Sequence, residues 1–541
     1  MQYFAIFLTA LFSSTLLLAL LIRLAYQLRF IDIPEPRKVH AIAIPRVGGI
    51  GMVLGTILAL VLWFDIPFSI NVYILGFVCL SLFGILDDRY NIHYIIKFIG
   101  QCIAVLIVVL YGNLLITNLS LFGYHTIPNV LAYPLTIIFL LGTTNAMNMS
   151  DGLDGLAAGL GILSLTCIAY LAMLADGHNT IALSCAIIGA TLGFLRYNTY
   201  PAIAFMGDTG SQFLGYSIGI LAISVTQEIN TAISGVLPLF ILGLPVVDTL
   251  RVIVERLLMK RSPFKPDRSH FHHKLLAMGL DHYESVLIVY IIQAIFIFIA
   301  VIIRYYSDIL VLSTYMFMII TIYAIIPIAN KYKWYRKTSI NNKISITIIG
   351  VDCVLWAEWI EIISYLFLST ILSTLIFLGA ILNLQPKEDF GYLSGVILLT
   401  WIIAILTKSS ALSLISRIVM YFCATLTIYS FGSDEIMHPE IEYYFRYAVV
   451  IIAVVVAICL VLSPRYFIIT PSDILIMFIL IASACLHIFG TINYAKLATE
   501  GAIILYALEY ILRRPGVGIN ILTIGCLAIL VMTTLQSFLY L

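Results

Sequence analysis

Charged residues are scarce in this chain. Asp, Glu, Lys and Arg together make up 11% of its 541 residues, whereas 62% are hydrophobic. Soluble domains carry about a quarter charged residues and are nearly half apolar, so the composition excludes an ordinary soluble protein. Apolar runs of about 20 residues, the length that crosses a bilayer as a helix, recur along the whole sequence. We therefore predict an all-α polytopic membrane protein.

Cysteine motifs are missing as well. The nine cysteines lie mostly inside apolar runs and never form a C-x-x-C pair. This pattern predicts small core residues rather than a disulfide or zinc framework. The first apolar run, Gln2 to Leu21, has no basic segment before it and no obvious cleavage site after it. We therefore expect a first spanning helix rather than a signal peptide.

The placement of basic residues predicts the orientation. Lys and Arg are concentrated in one set of loops, whereas the alternate loops contain Arg304 alone. By the positive-inside rule the basic loops face the cytoplasm, which places the N-terminus outside and about eleven helices before residue 331. The basic loops lie near residues 28–46, 87–97, 145–155, 196–211, 256–282 and 330–343.

A domain boundary is predicted after residue 337, where the basic stretch "NKYKWYRK" ends. Residues 1–337 would form one domain, and residues 338–541 a C-terminal multi-spanning extension with about seven more helices. The extension contains a polar cluster, "SDEIMHPEIEYY" (433–444), which is predicted outside. A solvated loop is the simpler interpretation of this cluster, and a second activity or a partner-docking module is the alternative.

Five of the cytoplasmic loops carry adjacent acids, grouped imidazoles and glycines that inert connectors do not need. They read "PEPRKVHAIAIPRVGG" (34–49), "DDRYNIHYIIK" (87–97), "NAMNMSDGLDGLAAG" (145–159), "FMGDTGSQFLG" (205–215) and "RSPFKPDRSHFHHKLLAMGL" (261–280). Five acids lie within about a turn of a helix end: Asp87, Asp88, Asp151, Asp154 and Asp208. A transporter would place acids at mid-membrane despite their cost there, so this placement favours an enzyme over a pore.

Acids and bases together indicate a metal and a phosphate. A carboxylate 4 Å from a phosphate oxyanion repels it by roughly 4 kcal/mol at an effective dielectric of 20, so several Asp around a diphosphate need a cation between them. Mg²⁺ or Mn²⁺ suits oxygen ligands. Glycines where helices begin near Asp154 and Asp208 would leave free N–H groups for a phosphate. If Asp154 begins its helix, it and Asp151 point the same way.

Three histidines lie close together in the last of these loops. His270, His272 and His273 stand beside Arg268 and Lys274. This grouping predicts a cationic cradle for phosphate, with a zinc site as the alternative.

Taken in order, these motifs resemble those of a known family. "RKVH" with "PRVGG", "DDRYNI", "NAMNMSDGLDGLAAG", "FMGDTGSQFLG" and "PDRSHFHH" follow one another as in the polyprenyl-phosphate N-acetylhexosamine-1-phosphate transferases, the MraY and WecA superfamily. The resemblance covers about residues 1–330, and the histidine loop looks like the WecA/TagO-like branch that transfers GlcNAc 1-phosphate or related sugars.

The resemblance implies a reaction at the cytoplasmic face of the inner membrane. Undecaprenyl phosphate, or another polyprenyl phosphate, would attack the β-phosphate of a UDP-sugar and release UMP. The polyprenyl-diphosphate sugar would then start a lipid-linked cell-envelope glycan, whose pathway stays open. The implied cofactor is Mg²⁺, with Mn²⁺ as a substitute, and a homodimer is left open.

The resemblance also implies residue roles. Asp208 would be the metal ligand, and Asp87 the base for the lipid phosphate. Because the second pKa of a phosphate monoester is about 6, the lipid is largely ionised already, and a positioning role for Asp87 stays open. The other implied catalytic positions are Asp88, Asp151, Asp154, His270, His272 and His273, and the substrate-binding positions are Lys97, Asn145, Asn148, Phe205, which would stack on uracil, and Arg268.

Two departures from the family pattern and three other hypotheses need tests. Asn91 stands where some relatives carry another Asp, and residues 338–541 have no recognised counterpart. A lipid-linked sugar transporter or flippase is the main alternative, and an inactive scaffold is a further one. A CDP-alcohol phosphotransferase would need an Arg that "DGLDGLAAG" lacks.

Overall fold

The computed structural model describes residues 2–33, 43–120, 126–260, 270–331, 353–382, 388–406, 412–432, 439–462, 494–513 and 517–539. Within these ranges, the first part of the chain forms helices α1 (Gln2–Leu28), α2 (Gly48–Trp63), α3 (Phe68–Tyr90), α4 (Tyr94–Tyr111), α5 (Asn129–Ser150), α6 (Leu156–Met173), α7 (His178–Asn198), α8 (Gly207–Ile223), α9 (Pro238–Leu258), α10 (Phe271–Ala277), α11 (His282–Ile303) and α12 (Asp308–Lys331). Since α10 has only 7 residues, the described part before residue 331 contains eleven long helices, as the apolar runs predict.

The later described ranges are helical too. They form α13 (Cys353–Leu382), α14 (Glu388–Leu406), α15 (Leu412–Gly432), α16 (Pro439–Leu462), α17 (Tyr494–Arg513) and α18 (Val517–Leu539). Nine helices in the described residues are long and apolar enough to cross a membrane. The predicted class, an all-α polytopic membrane protein, is confirmed. Any further helix predicted for this part, and residues 433–438 of the polar cluster, lie outside the described residues.

The described residues form two compact units, one of the ranges up to residue 331 and one of the ranges from residue 353 on. In the second unit, Tyr421 of α15 donates a hydrogen bond to Glu509 of α17. Trp401 donates one from its indole nitrogen to the Ser416 hydroxyl at 3.0 Å. The roles predicted for the two parts of the chain stay predictions.

Helix α8 is the centre of the first unit. Every residue from Thr209 to Ile223 is buried. Glycines of the neighbouring helices allow close approach, since a Cβ at Gly84 of α3 would lie 2.6 Å from the Cα of Thr209. A Cβ at Gly215 would lie 2.5 Å from the carbonyl oxygen of Thr143 in α5. The N-terminus of α8, which carries Asp208, is therefore held against the ends of α3 and α5.

Two short strands flank the same end of the unit. β1 (Ile31–Asp32) pairs antiparallel with β2 (Ile44–Pro45). The pairing continues onto the loop before α8, because the N–H of Phe205 donates to Pro45 O at 2.8 Å and the N–H of Gly48 donates to Phe205 O at 3.0 Å. The strands were not predicted, and the motif residues 34–42 between them lie outside the described residues.

Candidate active site

The predicted acids meet at one end of the first unit. Asp87 and Asp88 lie in the last turn of α3, and Asp208 lies in the first turn of α8. Asp151 follows the end of α5. Helix α3 ends where Asn91 adopts the left-handed conformation (φ 48°), which Asn tolerates better than most residues. That backbone role accounts for Asn at this position.

Asp88 holds the beginning of α8. The residue is 5% exposed. It accepts hydrogen bonds from the N–H of Asp208 at 2.8 Å, from the N–H of Thr209 at 3.1 Å and from the Thr209 hydroxyl at 2.7 Å. Gly207 makes room for this contact, because its φ is +67° and a Cβ there would lie 2.5 Å from Asp88 Oδ1. Asp88 thus acts as a helix cap supplied by another helix.

Asp208 and Asp87 share one cationic group. The Lys97 ammonium forms an ion pair with Asp208 and lies 3.7 Å from Asp87 Oδ2. Asn148 donates to Asp208 Oδ1 at 3.2 Å and to the Ser211 hydroxyl at 2.8 Å. The predicted residues Asp87, Lys97, Asn148 and Asp208 are therefore neighbours.

This donor set fits Mg²⁺. In the described residues, no three His, Cys, Asp or Glu side chains form a ready-made metal site. Mg²⁺ in phosphoryl-transfer sites is usually held by one or two carboxylates together with substrate phosphates and water. Asp208 and Asp87 already hold a cation between them, so a divalent ion would find oxygen ligands at this position.

A network of amide side chains is hydrogen-bonded to Asp208. Gln212 donates to Asp208 Oδ2 at 3.3 Å. Gln101 donates to Gln212 at 3.2 Å and also exchanges hydrogen bonds with Asn145, which donates back to Gln101 at 2.9 Å. Asn145, predicted to bind substrate, thus lies in the network that orients Asp208.

The loop before α6 differs from the prediction. Helix α6 begins at Leu156 after a left-handed Gly155 (φ 79°), so Asp154 does not begin it. The Asp154 carboxylate accepts from the N–H of Ala202 at 3.0 Å, which ties it to the loop after α7. The N–H of Gly155 donates to Asn198 Oδ1 at 2.9 Å. At α8, Asp88 occupies the N–H groups of Asp208 and Thr209. The prediction of free N–H groups for a phosphate is wrong at these positions, because protein oxygens already accept from them.

The surroundings of Asp151 disfavour the charged form of its carboxyl group. Its pKa is raised to about 7, mainly by burial and in part by the charges of Asp154 and Asp88, while Arg46 opposes the rise. The carboxyl group is therefore partly protonated at neutral pH in the absence of a bound cation.

We predict a pH-dependent effect of Asp151→Asn on stability. Because the folded-state pKa of Asp151 lies above its ordinary value of 3.8, the native protein loses stability as pH rises from about 4 to about 7. The Asn variant lacks this loss. In metal-free detergent solution, the thermal unfolding midpoint of the variant minus that of the unmodified protein should therefore be larger at pH 8 than at pH 5. An equal difference at both pH values would contradict the raised pKa.

The histidine loop meets the same end of the unit. His270 Nδ1 lies 2.9 Å from Asp248 Oδ2. The His270 and His272 rings are parallel, with centroids 5.8 Å apart, and the His272 and His273 centroids are 4.3 Å apart. His272 lies against Gly152, where an added Cβ would collide with its ring. The His272 and His273 rings are tilted by 48°, and no three His, Cys, Asp or Glu side chains of the described residues are grouped to hold a metal, so the zinc alternative gains no support.

His272 departs from the predicted cationic cradle. It is 4% exposed, and its Nε2 has no hydrogen-bond partner in the described part of the chain. Burial and the neighbouring His273 lower its pKa to about 3. His272 is therefore neutral near pH 7 and packs against the Gly152 loop instead of contributing positive charge. Arg268 lies outside the described residues.

Gly152→Ala should reduce activity through His272. The added methyl group overlaps an imidazole that already has ring contacts with His270 and His273, and such overpacking costs about 1–3 kcal/mol. We expect turnover to fall by roughly 10-fold or more. Gly142→Ala on α5 is the matched control, because a Cβ at Gly142 has nothing within 4 Å. Equal activity of the two variants would show that the contact is irrelevant.

Sequence reasoning missed three charged residues. Asp248 in α9 pairs with His270, and Arg46 pairs with Asp32 at 2.5 Å. Arg46 adjoins Pro45, the backbone partner of the half-buried Phe205. The available signals were an isolated acid in an apolar run for Asp248 and the "PRVGG" motif for Arg46.

Fold and site define a polytopic membrane protein with a polar site of acids, amides and bases at one end of its helices. The model of glycosyl transferase family 4 matches residues 70–226. A probable undecaprenyl-phosphate N-acetylglucosaminyl 1-phosphate transferase of Bacillus subtilis is 37% identical over 327 residues, which are 59% of this chain and 88% of the relative. A decaprenyl-phosphate N-acetylglucosaminephosphotransferase of Mycolicibacterium smegmatis is 31% identical over 50% of this chain and 74% of the relative. An undecaprenyl-phosphate alpha-N-acetylglucosaminyl 1-phosphate transferase of Escherichia coli is 30% identical over 54% of this chain and 81% of the relative. The chain belongs to the polyprenyl-phosphate N-acetylhexosamine-1-phosphate transferase family, as its motifs predict.

Proposed function

We propose that this protein transfers GlcNAc 1-phosphate from UDP-GlcNAc to undecaprenyl phosphate and releases UMP. The observation that carries the proposal is the cluster of Asp87, Lys97, Asn148 and Asp208 at the end of the central helix. Three relatives with 30–37% identity are named for this transfer to undecaprenyl or decaprenyl phosphate. None of the three is named as a transporter, so the flippase alternative gains no support.

The proposed chemistry exchanges one phosphoanhydride bond for another. An oxygen of the lipid phosphate forms a bond to the β-phosphorus of the UDP-sugar. The bond from that phosphorus to the bridging oxygen breaks, and UMP leaves with the bridging oxygen. Because the lipid phosphate is already largely ionised at neutral pH, the step requires little proton transfer. Positioning and charge neutralisation are therefore the main tasks of the protein.

Asp208 and Asp87 would hold Mg²⁺ together with substrate oxygens. When bound, Mg²⁺ would neutralise the diphosphate that the carboxylates otherwise repel. Lys97 lies between these two acids and would transfer its contact to a phosphate oxygen. Asp88 is committed to capping α8, so we assign it a positioning role.

The nucleotide would lie near the β2 segment. Phe205 is half-buried beside this segment and offers a ring for uracil. Arg46 adds positive charge, and Asp32 holds its guanidinium. By the positive-inside rule, this end of the unit would lie at the cytoplasmic face of the inner membrane.

The test is UMP release by the purified full-length protein in detergent. We expect release with UDP-GlcNAc, undecaprenyl phosphate and Mg²⁺, and loss of release when EDTA replaces Mg²⁺. A parallel panel of UDP-N-acetyl sugars identifies the preferred donor. Absence of UMP with every donor would refute the proposed function, and translocation of a lipid-linked sugar without UMP release would favour a flippase.

A further inference from the structure

We propose that Asp248 is a positioning residue that orients His270 for contact with the substrate phosphates. The inference rests on the proposed function and extends it to a residue of α9 that lies 22 positions before His270 in the sequence.

The first observation is a carboxylate with three donors. His270 Nδ1 lies 2.9 Å from Asp248 Oδ2, and the N–H of Phe271 donates to Asp248 Oδ1 at 2.9 Å. The hydroxyl of Tyr323 in α12 donates to the same Oδ1 at 3.2 Å. Asp248 and His270 are 6% and 8% exposed. A buried carboxylate among apolar helices is costly unless it is fully hydrogen-bonded, and these three donors meet that need.

The second observation is where the donors come from. Phe271 is the first residue of α10, so Asp248 accepts from the beginning of the helix that carries His272 and His273. The ring of His270 is parallel to that of His272, with an interplanar angle of 6°. One carboxylate therefore fixes both the start of α10 and the first ring of the histidine row. The backbone of α9 is kinked at Gly243 (φ 35°), five positions before Asp248.

The chemical consequence concerns the proton on His270. A carboxylate can only accept a hydrogen bond, so it selects the form of His270 that carries a proton on Nδ1. The Nε2 atom, across the ring, then carries the lone pair and accepts a hydrogen bond or a proton from the substrate side. The hydrogen bond to a buried carboxylate also fixes the plane of the ring. Asp248 thus controls the direction of the His270 ring and which of its nitrogens carries the proton, without touching substrate.

Asp248→Asn separates this role from simple anchoring. The Asn carbonyl can still accept from the N–H of Phe271, whereas the Asn amide donates to His270 Nδ1 and forces the proton onto Nε2. Outer residues that orient a histidine typically contribute 10- to 100-fold. We expect kcat for UMP release to fall by about that factor, with a smaller change in KM for UDP-GlcNAc. Asp248→Glu, which keeps the carboxylate, should recover part of the loss.

A double-mutant cycle tests whether Asp248 acts through His270. The variants are Asp248→Asn, His270→Ala and the combination of both. If the inference is right, the double variant is within about 3-fold of His270→Ala alone. Asp308→Asn is the matched control, because Asp308 is also buried and accepts from Ser120 and Ser234, outside the histidine network. It should keep normal kcat.

Each outcome decides a separate point. The inference would be overturned if the kcat losses of the two single variants multiply in the double variant, or if Asp248→Asn has normal kcat. Either result would leave the proposed function intact. Absence of UMP release by the unmodified protein would instead overturn the proposed function and the inference with it. If Asp248→Asn does not fold, the same cycle is run with Asp248→Glu, and multiplied losses again contradict the inference.

Discussion

Asp208→Asn should reduce UMP release by on the order of 10³-fold, the largest loss expected from a single charged group at this site. The Asn side chain keeps the size of Asp and its single oxygen can still accept from either Asn148 or Gln212, which donate to different oxygens of Asp208, so the fold should persist. It lacks the charge that would bind Mg²⁺ and that now pairs with Lys97. Turnover is measured by UMP release, and folding by the thermal unfolding midpoint in detergent.

Two further results sharpen this prediction. Raising the Mg²⁺ concentration should recover little activity in Asp208→Asn, because the ligand itself is weakened. Asp308→Asn should retain full turnover. That result would show that removing an acid elsewhere in the unit does not by itself reduce turnover. Unimpaired turnover of Asp208→Asn would remove Asp208 from the metal site.

Asp88→Ala should lower both stability and activity. The variant leaves the N–H groups of Asp208 and Thr209 and the Thr209 hydroxyl without their acceptor. Buried donors that lose a charged partner cost about 1–3 kcal/mol each, so we expect a loss of about 3 kcal/mol or more in the free energy of unfolding. Turnover should fall with it, because α8 carries Asp208.

Graded substitutions separate capping from chemistry. Thr209→Val removes one of the three donors and should lower the unfolding midpoint less than Asp88→Asn, which in turn should lower it less than Asp88→Ala. If Asp88→Ala is inactive but has an unchanged unfolding midpoint, the capping role is contradicted and a direct role toward the lipid phosphate is favoured.

The fold class was predictable because a membrane restricts the backbone. Lipid supplies no hydrogen-bond partners, so apolar runs must become helices, and the eleven long helices described before residue 331 follow from counting them. The β1 and β2 strands were not predictable in the same way. Each has two residues, and they pair although eleven residues separate them in the chain, next to the loop before α8.

The site was predictable where function depends on residue type at helix ends. Asp87, Lys97, Asn148 and Asp208 do meet, although they come from four different helices. What each side chain does was harder to predict, because it depends on partners far away in sequence. Asp88 resembles a catalytic acid in "DDRYNI" until its partner, 120 positions later, is known.

The same limit applies to the histidines and to the glycine loops. His272 is one of three histidines with basic neighbours in the sequence, yet burial against Gly152 keeps it neutral. The N–H of Gly155 is satisfied by Asn198 at the end of α7, 43 positions later in the chain, which no local pattern indicates. Burial and long-range hydrogen bonds, rather than motif chemistry, decide these roles.

The most direct test of the proposed function follows the two phosphates of the donor separately. The purified full-length protein is given UDP-GlcNAc labelled either in the α- or in the β-phosphate, together with undecaprenyl phosphate and Mg²⁺. The account predicts that β-label enters the lipid as undecaprenyl-diphosphate GlcNAc while α-label leaves as UMP. Release of both labels together as UDP, with the sugar joined to the original lipid phosphate, would contradict it.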